Sequence, residues 1–221
     1  RPGHPVDRGA RTRHDGRMAE YTVGLIVGSV SEPSLNRRFA EALVRLAPGT
    51  GLVIREIPIA ELPFYGAQYD KNFPAVGRAF KDAVDSADGL IIVTPEYNRS
   101  IPGVLKNALD WASRPSGQSS LTGKPTGVTG ASKGAISTAL AQSHLKSILA
   151  AQGAPLVGAP EVYIRITDDF FTDDGEIAAE GTRDFLTGFL QRLHELIRAR
   201  PLASLVTSAG LFGYSSFADI T

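Results

Sequence analysis

Two rhythms of apolar residues alternate along the chain. Compact β-rich runs occur at Tyr21–Gly28, Leu52–Ile57, Gly89–Thr94, Thr126–Ala131 and Pro160–Ile166, each the length of a strand. Between and after them apolar residues recur at helical spacing. Leu35, Phe39, Leu43 and Leu46 share one face of a first helix, and Val76, Phe80 and Val84 mark a second. A third helix is predicted from about Pro102 to Ser113, with the proline at a start where its missing N–H costs nothing. A fourth spans Ser137–Ala151 and ends at Gly153, and in the last Phe185, Phe189, Leu193 and Ile197 share a face. Pro58 ends the second strand, and Ile59–Phe73, with no clear period, reads as a long loop. Strands alternating with helices predict an α/β fold, a doubly wound parallel sheet covered on both faces.

Length and composition narrow this picture. A chain of 221 residues holds one well-packed α/β domain and is short for two. At 43% hydrophobic and 21% charged residues the composition is near the globular average and suggests neither a disordered nor a fibrous architecture. No internal repeat or interdomain linker interrupts it. The five strands fit the flavodoxin-like order 2-1-3-4-5 in three layers, an order that spacing alone does not fix. Cysteine is absent, which excludes disulfides, thiolate nucleophiles and cysteine-ligated iron–sulfur clusters. That absence suits a reducing compartment, and a cytoplasmic location is expected.

Charge is uneven although the formal net charge is zero. Residues 1–17 carry five arginines against Asp7 and Asp15, so the remainder is mildly acidic. Neither nucleic acid nor an anionic membrane surface is expected as a partner. No apolar run approaches the roughly 18 residues that span a bilayer. The arginine-rich start is followed by no signal-peptide core, because Val23–Val27 is too short and reads as a strand. Residues 1–19 are expected to be a disordered leader or appended segment, 20–200 the domain, and 201–221 a C-terminal extension of unknown role. That extension is weakly apolar, with Asp219 its one charge, and suits either a flap over a neighbouring subunit or an appended tail.

In an open parallel sheet, ligands bind at the carboxyl ends of the strands, where strand order reverses. The loops after the first, third and fourth strands should meet there. The first, Gly28-Ser29-Val30-Ser31-Glu32-Pro33-Ser34-Leu35-Asn36, presents hydroxyls beside a helix N-terminus, a combination that suits a phosphate. Helix capping by Ser34 is the plainer reading. The segment is neither a Walker A loop nor a G-x-G-x-x-G turn, which argues against a standard nicotinamide Rossmann domain. The second, Thr94-Pro95-Glu96-Tyr97-Asn98-Arg99-Ser100-Ile101-Pro102-Gly103, is stiffened by two prolines and can bring main-chain N–H groups to a flat heterocycle. As a structural turn it would cap the third helix through Ser100. The third, Thr129-Gly130-Ala131-Ser132-Lys133-Gly134, allows close backbone approach, and serves equally as a plain strand-to-helix loop.

Together these segments resemble the NADPH-dependent FMN reductase family, in its chromate and quinone reductase branch. The resemblance is strongest in Thr94-Pro95-Glu96-Tyr97-Asn98, Ser100 and Pro102–Trp111. Gly28-Ser29, Ser34 with Asn36, Leu62-Pro63, Gly123-Lys124-Pro125, Gln142 and His144-Leu145 support it. It covers roughly residues 21–198. It implies bound flavin mononucleotide (FMN), NADPH or NADH as co-substrate, and small acceptors such as quinones, chromate, azo or nitro compounds, or free flavin. The phosphate would meet Ser29, Ser31, Ser34, Leu35 and Asn36. The flavin would meet Pro95, Glu96, Tyr97, Asn98, Arg99, Ser100, Ile101 and Gly103, with Ser132 and Lys133 closing the site. No residue is assigned as catalytic and none as a metal ligand, because the cofactor carries the chemistry. A homodimer or homotetramer is implied, with flavin near the subunit boundary.

Two departures stand out. Ser31 occupies a position where relatives often carry arginine, and Arg99 one where an aromatic is common. His144 reads as a helix residue packed or hydrogen-bonded near a subunit contact, and Trp111 as packing on the outer face of the third helix. Asp168, Asp169, Asp173 and Asp174 lack EF-hand spacing and read as a solvated loop. The rival functions are a flavodoxin-type electron carrier and a flavin redox sensor, neither with NAD(P)H turnover of its own.

Overall fold

A computed structural model describes residues 20–199. The leader expected over 1–19 and the extension over 201–221 lie outside the described residues, as does residue 200. Five strands, β1 (Tyr21–Val27), β2 (Leu52–Glu56), β3 (Gly89–Val93), β4 (Thr126–Ser132) and β5 (Val162–Arg165), form one parallel sheet in the order 2-1-3-4-5. The helices are α1 (Leu35–Leu46), α2 (Ala75–Ser86), α3 (Gly103–Ala112), α4 (Ala139–Ala151) and α5 (Glu180–Arg198). This is the flavodoxin-like architecture.

Strand alternation sorts the core into two layers. Val23, Leu25 and Val27 of β1 face α1 and α5, whereas Ile26 faces the layer of α2, α3 and α4. β3 does the same with Ile91 and Val93 against Leu90 and Ile92, all four at 0% exposure. Burial on both faces is why these strands read as continuous apolar runs rather than alternating ones. Each such side chain contributes about 1.5–3 kcal/mol over leaving it in water. At the edge, β5 alternates instead: Val162 and Ile164 are buried, Tyr163 and Arg165 exposed.

Several boundaries and faces differ from expectation. β2 stops at Glu56, β5 is confined to Val162–Arg165, and α4 starts at Ala139. The stretch 59–73 contains a 3-10 turn, Ala67–Asp70. In α5 Phe185 is 39% exposed, and the buried stripe is Leu186, Phe189, Leu190, Leu193 and Ile197. Repeated steps of four residues drift about 40° each around a helix of 3.6 residues per turn, so the run from Ile197 back to Phe185 leaves the core face. Trp111 is not on an outer surface: it is fully buried beneath the 59–73 segment. Its Nε1 donates to the Pro63 carbonyl at 2.7 Å, and Tyr65, Tyr69 and Phe73 surround the indole. The loop without periodicity is thereby fixed by aromatic packing.

Candidate cofactor site

Register places three loop exits side by side. Val27 pairs with Val93 and Val93 with Thr129, so β1, β3 and β4 release the chain at neighbouring levels of one sheet edge. The order reverses here, since β1 lies between β2 and β3. A Cβ at Gly130 would drive into the Thr94 carbonyl, so glycine is what lets these two loops start so close together.

The first loop turns into α1 through Ser34, whose extended backbone and side chain cap the helix: its Oγ accepts from the Arg37 N–H at 3.2 Å. The capping reading of Ser34 therefore holds. The first turn of α1 itself carries no acidic residue, and Glu32 is the carboxylate just ahead of its cap. Ser29 is buried, and its Oγ accepts a long bond, 3.4 Å, from the Ser31 N–H. Leu35 is half-buried against the core. Asn36 is buried, its carboxamide committed to the backbone of Ala131, so what it offers at the helix start is its N–H.

A cavity of about 400 Å³ opens beside this loop, lined by Ser29, Ser31, Ser34 and Arg37 and walled by residues 56–60. Arg37 holds a bidentate pair with Glu56, both bonds at 2.9 Å, which raises the guanidinium pKa further. The motif reading missed Arg37 and the 56–60 wall. No local pattern marks them, because they reach the loop only through β1–β2 pairing, with Leu25 opposite Glu56. A larger cavity, about 510 Å³, lies beside the end of β5 and the start of α5, near Arg165, Phe170 and Thr182. None of the three loops lines it.

The second loop forms a tight turn. The Tyr97 N–H donates to the Ser100 carbonyl at 2.9 Å and the Ser100 N–H to the Tyr97 carbonyl at 3.0 Å. Between them Asn98 and Arg99 have φ of 49° and 68°, the left-handed pair of a type I′ turn. Pro95 is buried, Ile101 belongs to the core, and Tyr97, Asn98 and Arg99 are exposed. Ser100 does not cap α3: the N-cap is Pro102, without a side-chain bond, and Ser100 Oγ lies 3.0 Å from His144 Nδ1. Gly103, the first residue of α3, faces open space. Tyr97 Oη meets Ser31 Oγ at 3.0 Å, joining the first two loops. On the third loop, Ser132 ends β4 with its Oγ accepting from the Gly134 N–H at 3.1 Å, and Lys133 is exposed.

The donor set suits a phosphate ester of a flat ring. Serine hydroxyls and a helix N-terminus with no acid in its first turn border one cavity, whose lining also includes Glu32 and the Glu56 that Arg37 pairs. Main-chain N–H groups of a rigid turn lie on the adjoining loop. Among the described residues no cluster of side chains suits a metal ion, and no helix is long and apolar enough to cross a membrane.

Comparison with known proteins gives the family. The family model for NADPH-dependent FMN reductase matches residues 21–169. A 2-hydroxy-1,4-benzoquinone reductase from Burkholderia sp. is 47% identical over 178 residues, covering 80% of this chain and 97% of the relative. A quinone reductase from Pseudomonas putida is 38% identical over 179 residues, covering 80% and 95%. The solved structure of FerB, a flavoenzyme NAD(P)H:(acceptor) oxidoreductase from Paracoccus denitrificans, superposes with a TM-score of 0.77 at 39% identity, covering 81% of this chain and 98% of that one. With the match running through all three loops and all five strands, this chain belongs to the NADPH-dependent FMN reductase family.

Proposed function

We propose that the chain uses bound FMN to pass electrons from NADPH or NADH to quinones and related small oxidised acceptors. The carrying observation is the meeting of a serine-lined helix N-terminus with a rigid turn at the β1/β3 reversal point. Relatives named as quinone reductases and as an NAD(P)H-dependent FMN reductase support it.

In this reading the hydroxyls of Ser29, Ser31 and Ser34 and the N–H groups of Leu35 and Asn36 hold the phosphate. The 95–100 loop meets the ring edge through its main chain, and Ser132 with Lys133 closes the far side. The isoalloxazine, when bound, supplies the hydride and electron chemistry. The chain binds it, orients it and presents N–H donors where negative charge collects on reduction. No side chain is required as an acid or base.

The working unit is a homodimer or homotetramer with the site at its boundary. Supporting this, Tyr97, Ile136 and Leu140 are 46%, 52% and 38% exposed, apolar surface beside the candidate site. The cytoplasm, with its pool of reduced nicotinamide nucleotides, is the setting this activity requires.

One preparation tests the reading. Heat release and chromatography of the flavin should give FMN; FAD as the main species would overturn the phosphate assignment. Spectra under anaerobic NADPH and NADH should show bleaching that a quinone reverses. Flavin that neither nucleotide bleaches would mark an electron carrier. Light scattering at micromolar concentration should give at least a dimer, and a fully active monomer would overturn the boundary site.

A further inference from the structure

The loop proposed to meet the flavin is fastened to a helix far away in sequence. Glu96 Oε2 accepts from the Leu140 N–H at 3.0 Å and the Ala141 N–H at 3.1 Å, in the first turn of α4. The helix has no capping side chain of its own: Thr138, its N-cap, makes no side-chain cap bond, and Thr138 Oγ1 accepts instead from Gln142. Glu96 therefore supplies the cap from 44 residues upstream. Its side chain is 10% exposed, and the one cation paired with it among the described residues is Arg99, at 3.6 Å. A carboxylate at a helix N-terminus is favoured by both hydrogen bonding and the helix dipole.

A second tie lies one turn further along α4, where His144 Nδ1 meets Ser100 Oγ at 3.0 Å. Residues 140 and 144 share a helix face. The two ties thus hold both ends of the Tyr97–Ser100 turn against one side of α4. Between them Arg99 keeps a left-handed backbone, φ 68°, where glycine is strongly preferred. Such a conformation persists only where its surroundings over-determine it. The N–H groups of Asn98 and Arg99, at the tip, make no hydrogen bond among the described residues.

We infer that Glu96 is a positioning residue: by capping α4 it holds the Tyr97–Ser100 turn so that the free Asn98 and Arg99 N–H groups face the cofactor ring. This rests on the FMN reading above. Whatever its main chain meets, the Glu96 side chain is turned to α4 and not to the ring. Its carboxylate is spent on α4, and it acts through the turn it holds. Releasing the clamp lets the turn sample other registers, and apparent affinity falls by the fraction of time the competent one is occupied.

The test is FMN and riboflavin titration, followed by flavin fluorescence, on wild type, Glu96→Ala and Glu96→Gln. If the turn is competent about a tenth of the time without its clamp, Glu96→Ala weakens FMN about tenfold. Riboflavin weakens by the same factor, because the clamp serves the ring and not the phosphate. Glu96→Gln restores most of the loss, since an amide oxygen accepts the same two N–H bonds. The midpoint potential of bound FMN falls in Glu96→Ala and recovers in Glu96→Gln, a readout that a purely structural cap would leave alone. If Glu96→Ala does not fold, Glu96→Asp substitutes for it, keeping the charge and shortening the reach by one methylene, with the same losses expected. A lowered melting temperature with unchanged flavin affinity and potential would overturn the clamp and leave Glu96 a plain helix cap. Wild-type protein that binds no FMN would overturn the functional reading itself, so the two failures are told apart.

Discussion

The carboxamide of Asn36 and the peptide of Ala131 hold each other at both ends. Asn36 Nδ2 donates to the Ala131 carbonyl, and Asn36 Oδ1 accepts from the Ala131 N–H, each at 2.9 Å. Asn36 is 3% exposed and Ala131 1% exposed, so water replaces neither bond. The pair joins the start of α1 to the end of β4, and so sets the spacing between the first and third loops of the site. Asn36→Ala leaves a buried N–H and a buried carbonyl unpaired, at about 1–3 kcal/mol for each group. Urea denaturation of the apoprotein should show a loss of about 2–6 kcal/mol. A loss below about 0.5 kcal/mol, the range of an ordinary surface change, would show that the bonds are replaced.

Ser34 separates two roles that one hydroxyl can fill. As the cap of α1 it accepts from the Arg37 N–H, and losing that bond in Ser34→Ala costs about 1 kcal/mol of apoprotein stability. As a phosphate ligand its loss costs roughly 1.5–3 kcal/mol of binding, on the order of ten- to a hundredfold in FMN affinity. Riboflavin, which lacks the phosphate, should bind the variant as it binds wild type. An apoprotein that melts earlier while holding FMN equally well would reduce Ser34 to a cap. Ser31→Arg is the complement: it gives up the bond to Tyr97 Oη, adds a cation, and should tighten FMN in a salt-sensitive way.

Trp111 is the chain's single tryptophan, and its fluorescence reports on the 59–73 segment. Trp111→Ala empties a fully buried site and should cost about 3–5 kcal/mol. Trp111→Phe keeps most of the packing and loses the Nε1 bond to the Pro63 carbonyl. That carbonyl still accepts from Asn107 Nδ2 at 3.0 Å, so the cost should stay near 1 kcal/mol. Denaturant midpoints distinguish the two, and equal losses would mean that the bond, not the aromatic packing, holds the segment.

Tyr163 should give a visible signature at high pH. Partial burial, followed by its hydrogen bond to Glu161, pushes the phenol up to about 12. A folded-state value above the unfolded one, about 10, means the stabilisation is complete below the unfolded value. It is lost as pH rises from there through the folded value. Tyr163 should therefore ionise late in an ultraviolet titration, as should Tyr65, whose phenol is also pushed up by burial and by its bond to Asp70, and Tyr163→Phe should shrink the late step by one tyrosine. The variant's stability should also depend less on pH between about 10 and 12. A late step of undiminished size in Tyr163→Phe would assign it to other tyrosines.

The amino-acid sequence by itself determined the order and type of the elements. Gly89–Val93 reads as a buried strand and Leu35, Phe39 and Leu43 as a helix face because such periodicities are set within a few residues. It also marked the three loops, since prolines, glycines and clustered hydroxyls declare themselves locally. What it left open depends on pairings across tens of residues. Phe185 sits at helical spacing from Phe189, yet only the packing of α5 on the sheet shows it turned to solvent. Trp111 gains its burial from a segment 48 residues away, at Pro63. Arg37 and the 56–60 wall join the phosphate loop because β2 lies beside β1, and Glu96 finds its partners in a helix that begins after β4. Asn36 and Ala131 are 95 positions apart, and nothing in either neighbourhood specifies the other. Local rules bias each segment independently, but a hydrogen bond or a cavity wall needs two segments at one place, and only the closed sheet brings them there.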